Sequence, residues 1–222
     1  VSADPFTLLL TVAVGGLCLG GVVVGFVFLV KASVDGQKRR MHRLSVWAIE
    51  RGLHYQRSDR SLRALSRRSP FLESRRPDCL DVFRGVHRGR HMVAFTWQYR
   101  YQSGDDTREW RAQVTAVDLP AARPFLEVRP GRAGDLKFEA QAFNDRFRVE
   151  SPSPRFASDV IDPRMIEWLL TDPRAHRSRW RIEGRWLLTW REGPLDLEAI
   201  LPTADFLIDL RARIPEHVWS GE

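Results

Sequence analysis

Cysteine is almost absent from this chain of 222 residues, which holds only Cys18 and Cys79. Cys18 lies inside an apolar run and Cys79 far beyond it, so no intrachain bridge staples the fold. A reducing compartment suits such a chain better than export does. Lysine is scarce too: of 35 basic residues only Lys31, Lys38 and Lys137 are lysine, the rest arginine. That bias, with abundant Ala, Gly and Pro, is what GC-rich coding produces. The formal net charge of +7 is therefore no nucleic-acid signature, and basic residues interleaved with Asp and Glu make nucleic acid an unexpected partner. No GxGxxG, P-loop or GxSxG sequence occurs, which removes the sequence marks of dinucleotide, nucleotide and nucleophile-elbow chemistry.

Charge is missing altogether from Phe6 to Val30, FTLLLTVAVGGLCLGGVVVGFVFLV. As a helix this run is about 37 Å long, against a hydrocarbon core of about 30 Å. It is apolar all round, whereas a soluble helix buries one stripe. The preceding VSADP has no Lys or Arg, unlike the basic start of a cleaved signal peptide. The run predicts one transmembrane helix, and no second run of spanning length follows. Lys31, Lys38, Arg39, Arg40 and Arg43 come directly after it and predict a cytoplasmic C-terminal side, with these residues at the membrane surface and in contact with anionic lipid. The expected organisation is an extracytoplasmic tail over 1–5, the span over 6–30, a basic juxtamembrane helix over 31–52 and a cytoplasmic domain over 53–222. Gly16 with Gly20, and Gly21 with Gly25, match the GxxxG spacing. They are the candidates for a helix-helix contact and a homodimer through the span, with a lipid-facing helix as the alternative.

The domain reads as α+β: antiparallel strands, as a meander and hairpins, packed with two or three helices. Apolar residues at 41, 44, 47 and 48 have helical spacing, and Gly52 ends that helix. A short strand is expected at Leu53–Gln56, then a short helix and loop over 57–78. Beyond Cys79 the period becomes two, with a tight turn at Arg88-Gly89, alternation from Val93 to Tyr101, another turn over 103–106, and alternation from Trp110 to Ala116. A further short strand is expected around Phe125 to Val128. Phe143, Phe147 and Val149 read as core about a turn. Asp162 with Pro163 starts an amphipathic helix, WRIEGRWLLTW reads as a hairpin turning at Glu183-Gly184, and 195–215 forms a closing helix.

The chemistry is thin. His87 and His91 flank a turn with Cys79 upstream, short of the three or four convergent ligands that zinc needs. Asp159 and Asp162 read as helix caps, and Asp105, Asp106 and Glu183 as turn residues. The alternating tryptophans, 97, 110, 180, 186 and 190, read as core lining; a ligand cage or stacking platform is the rival. No catalytic residue, cofactor or metal is expected.

The segments FNDRFRV, DVIDPRMIEWLL, WRIEGRWLLTW and RIPEHVW, with RLSVWAIERGLHY after the span, resemble a family of uncharacterised membrane proteins of high-GC Gram-positive bacteria. The resemblance implies one α+β domain behind a single span in the bacterial plasma membrane, and carries no activity. The expected function is a membrane-anchored cytoplasmic interaction module that binds a protein partner, with a leaning away from catalysis. The alternative is a tethered enzyme or small-ligand binder with a pocket between sheet and helices. Sensing of the lipid surface through the basic region 37–68 is a weaker third idea.

Overall fold

The computed structural model describes residues 31, 35–71, 77–132, 134 and 136–220. The expected span Phe6–Val30 and its glycines, Gly16, Gly20, Gly21 and Gly25, lie outside these residues. Among the described residues no helix is long and apolar enough to cross a membrane. The chain divides into two compact units at Trp47–Ala48. Helix α1 runs over 35–50 and carries Lys38, Arg39, Arg40 and Arg43 exposed; Lys31 is also helical and exposed. It ends as the sequence predicts. Gly52 adopts φ +69 and donates its N–H to the Ile49 carbonyl at 3.0 Å, a left-handed conformation that costs glycine no Cβ clash.

The second unit is built on a 6-stranded antiparallel sheet: β1 (Leu53–Ser58), β2 (Asp78–His87), β3 (Arg90–Ser103), β4 (Asp106–Pro130), β5 (Phe147–Glu150) and β6 (Trp180–Glu192). The hairpin turns fall at Arg88-Gly89 and Gly104-Asp105, where the turn residues predict them. Strand β4 is the spine: its first half lies between β3 and β6, its second between β5 and β6.

Two expectations are corrected here. The stretch 106–130 is one strand of 25 residues, not two short ones, and WRIEGRWLLTW lies within one strand rather than a hairpin. Pro120 and Pro124, which lack an N–H for the ladder, sit where the pairing of β4 with β6 shifts register, between Asp118 and Arg123 and again between Arg123 and Leu126. Opposite them Gly184 holds φ +59, so its freedom serves a bulge and not a turn. The irregularity also changes which parity points to a given face. Ala112, Val114, Ala116, Leu188 and Trp190 share one face. Past the shift Phe125, Glu127 and Arg181 take that side, so that the Arg181 guanidinium lies 4.6 Å from the centre of the Trp190 ring.

That face carries the aromatic core: Val93, Phe95, Trp97, Tyr99 and Trp190, capped by Leu62, Leu65 and Phe71 from the segment before β2, with Trp110 and Trp186 packed at its margin. The tryptophans are core lining, as alternation predicts. The opposite face is not solvated along its centre. Ala94, Thr96, Gln113, Thr115, Val117, Leu187 and Thr189 are buried, and helix α5 (Ile200–Arg211) packs across β3, β4 and β6. Among the described residues this unit has more helices than the two or three expected, because α2 (Gln141–Asn144) and α3 (Pro154–Val160) join α4 (Pro163–Thr171) and α5. Asp162 caps α4, accepting from the Met165 N–H at 2.7 Å. Asp159 is no cap: it lies inside α3, whose cap is Ser153.

Candidate functional site

The inner wall of a cavity of about 860 Å³ is formed by the second half of β4, by the start and the end of β6, and by residues 67–70. At its base stands Arg181, 2% exposed. Its Nε donates to Glu127 at 2.9 Å and a terminal nitrogen donates to the same carboxylate. That same terminal nitrogen also donates to the Ser69 carbonyl at 2.7 Å, and the other donates to the Ser66 hydroxyl at 2.8 Å. Glu183 approaches the guanidinium at 3.7 Å while accepting from the Ser66 hydroxyl at 2.6 Å and the Arg67 N–H at 3.1 Å. Phe71, Phe125 and Trp190 surround the charge. Burying a cation this deeply is costly unless its donors are satisfied, and here they are. Arg181 also offsets a like charge, since Glu127 faces Glu150 across β4 and β5 on one side and Arg181 across β4 and β6 on the other. Arg181 thus ties β6, β4 and the segment 66–69 into one rigid wall.

The rim is less complete. Arg67, Arg68, Arg129, Arg179, Glu150 and Glu192 also line the cavity. Arg68 lies 3.9 Å over the Phe125 ring and Arg179 5.3 Å over Trp190.

A second depression, of about 460 Å³, is apolar. Phe138, Ala140, Ile161, Pro163, Ile166 and Leu170 line it, with the exposed Glu139 and Glu167 beside them. The amphipathic character of α4 produces it. Met165 and Leu169 turn inward, whereas Ile166 and Leu170 are left half-buried along the groove.

Other residues singled out by sequence have structural roles. Among the described residues no group of three metal ligands converges. His87 bonds to Asp205 at 2.9 Å, and Arg88 bridges Asp205 and Asp209 at 3.2 and 2.9 Å, tying the β2–β3 turn to α5. Arg174 joins the same network through Asp209 at 2.9 Å and Asp172 at 2.7 Å. Burial pushes Asp209 up, but the hydrogen bonds from Arg174 and Arg88 outweigh it and hold the carboxyl below its ordinary range. His91 is exposed. Cys79 is buried in the aromatic cluster, and burial pushes its thiol up to about 12, far from the thiolate that a nucleophile needs. In a Cys18→Ser background Cys79 is therefore expected to resist a thiol reagent at pH 8 until the domain unfolds. Rapid labelling of the folded protein would contradict its burial.

Sequence reasoning missed Arg181, Glu127 and the groove. Arg181 stands among apolar neighbours in a strand-like run, which was a usable signal; its partner lies far away in the chain. The basic residues proposed for the membrane surface, Lys31, Lys38, Arg39, Arg40 and Arg43, are exposed on helical chain in the first unit.

No family model matches the sequence, and no curated protein matches it either. Among solved structures the chain is similar to the mycobacterial trehalose monomycolate transport factor A, TtfA, with a TM-score of 0.51 and 17% identity over 78% of this chain and 90% of that one. The mycobacterial source falls within the high-GC Gram-positive bacteria to which the sequence resemblance points. At this identity the likeness establishes the fold: the chain shares the α+β arrangement of a mycobacterial transport factor.

Proposed function

We propose that this chain is a membrane-anchored interaction module. Residues 6–30 span the bacterial plasma membrane with the N-terminus outside, and the α+β domain works in the cytoplasm by holding a partner protein. The observation that carries this reading is the apolar groove beside α4. Half-buried Ile166 and Leu170 present apolar surface between the carboxylates Glu139 and Glu167. An amphipathic segment with an apolar stripe and flanking basic residues complements it in shape and charge. The neighbour's description as a transport factor supports an accessory role in an envelope transport assembly. Lys31, Lys38, Arg39, Arg40 and Arg43 then sit against anionic headgroups, and Gly16, Gly20, Gly21 and Gly25 are the candidates for pairing the span with a second copy.

Affinity purification of the tagged full chain from its own membrane tests the reading. A protein is expected to co-purify with the native chain and to be lost with Ile166→Asp, while the thermal midpoint stays within a few degrees. Retention of every co-purifying protein by that variant would remove the groove as the docking site. A reporter fused after Glu222 is expected to be active only in the cytoplasm; activity of the exported type there would reverse the orientation.

A further inference from the structure

We infer that the cavity above Arg181 is a binding site for a small anion that presents a phosphate monoester or carboxylate to Arg67, Arg68 and Arg179. Its volume of about 860 Å³ is of the size that holds small molecules. Arg181 is not the recognition group, because Glu127, Ser66 and Ser69 already take its donors. It builds the wall instead, pinning the residues that lead into Arg67 and Arg68.

Among the described residues the guanidinium groups of Arg67, Arg68 and Arg179 pair with no carboxylate. Two of them are nonetheless held in place. Arg68 lies on Phe125 at 3.9 Å and Arg179 on Trp190 at 5.3 Å. These cation–ring contacts hold each guanidinium beside the cavity without using its N–H donors, which leaves them for two-point recognition of phosphate or carboxylate. Arg129 adds an Nε that is buried without a hydrogen-bond partner, 3.9 Å from Glu127.

The carboxylates limit what fits. Glu127 and Glu183 are matched internally by Arg181, Ser66 and the Arg67 N–H. Glu150 and Glu192 also line the cavity, and they repel a ligand of high negative charge while accepting from hydroxyl groups. A singly phosphorylated, hydroxyl-bearing molecule is favoured over a polyphosphate. Such a group belongs either to a free metabolite or to a lipid headgroup.

The test uses the full chain in nonionic detergent and equilibrium titration with four probes: glycerol 3-phosphate, dihexanoyl phosphatidic acid, dihexanoyl phosphatidylcholine and inorganic pyrophosphate. Saturable binding is expected for one or both phosphate monoesters, with weaker binding of pyrophosphate and of the choline lipid. Binding of glycerol 3-phosphate identifies a free anion as sufficient; binding of phosphatidic acid alone identifies the headgroup in its lipid context. Arg68→Ala and Arg179→Ala are each expected to weaken the bound probe about tenfold or more, as loss of a charge-assisted pair does. Arg185→Ala, at an exposed position on β6, is expected to leave it unchanged. Arg68→Lys and Arg179→Lys keep the charge without the fork and are expected to weaken binding too, which covers an alanine variant that fails to fold. Absence of binding at millimolar probe overturns the site. So does binding that Arg68→Ala and Arg179→Ala leave intact, because that assigns the anion to the basic residues of α1. Equal weakening by Arg185→Ala also overturns it, by showing unspecific attraction.

Discussion

Replacing Arg181 with methionine is expected to cost about 3–5 kcal/mol of stability, the usual penalty for leaving a buried partner charge uncompensated. Glu127 is 7% exposed and would keep a buried carboxylate whose remaining cation partner among the described residues is Arg129, at 3.9 Å. The Ser66 hydroxyl and the Ser69 carbonyl would lose their donor in the same step. Removing both charges, Arg181→Met with Glu127→Leu, is expected to recover about half of the loss, since a buried pair can be replaced by apolar residues at low cost. Recovery is only partial because the Ser66 hydroxyl and the Ser69 carbonyl each lose the bond from Arg181. Urea unfolding followed by tryptophan fluorescence measures both values. A single variant within about 0.5 kcal/mol of the native protein would mean that the cluster does not hold the wall together.

Phe71→Ala is expected to destabilise by a similar amount, about 3–5 kcal/mol. The ring is 2% exposed and meets Trp97 at 4.9 Å, Trp190 at 5.1 Å and Trp110 at 6.4 Å, each edge to face. Those contacts add about 0.5–1.5 kcal/mol apiece to the area that the ring buries. Phe71 also closes the segment that brings Ser66 and Ser69 to Arg181, so the two predictions are coupled. A double-mutant cycle between Phe71→Ala and Arg181→Met is expected to be non-additive, as it is for residues sharing one cluster. The near-ultraviolet circular dichroism of the tryptophans should fall with Phe71→Ala while the far-ultraviolet signal stays. Simple additivity would separate the aromatic core from the ion cluster.

Local signals in the sequence carried much of the fold. Gly52, Arg88-Gly89, Gly104 and the Asp162-Pro163 cap act within a turn of their own positions, and the structure has them where the sequence predicts. The alternation from Val93 to Tyr99 identified the aromatic face. Non-local pairing was not legible. Pro120, Pro124 and Gly184 are the residues that end strands in most settings, and here they serve two successive register shifts between β4 and β6. That pairing joins Glu127 to Arg181 across 54 residues, and no local pattern announces it. For the same reason alternation within β3 and β4 does not show that Thr96, Gln113 and Thr115 are buried on the face where α5 packs. The groove depends on how the 138–140 segment meets α4, which periodicity within α4 alone does not give. The span, the glycine pairs and the basic flank rest on the sequence.

The central claim is that the domain works by holding another protein at the groove beside α4. Site-specific photocrosslinking of the full chain in its native membrane tests it most directly. A photoreactive residue in place of Ile166 is predicted to give one discrete protein adduct, suppressed by Leu170→Asp and missing when the photoreactive residue replaces the exposed Arg108 on β4. The same adducts from both positions, or none at Ile166, would contradict the claim.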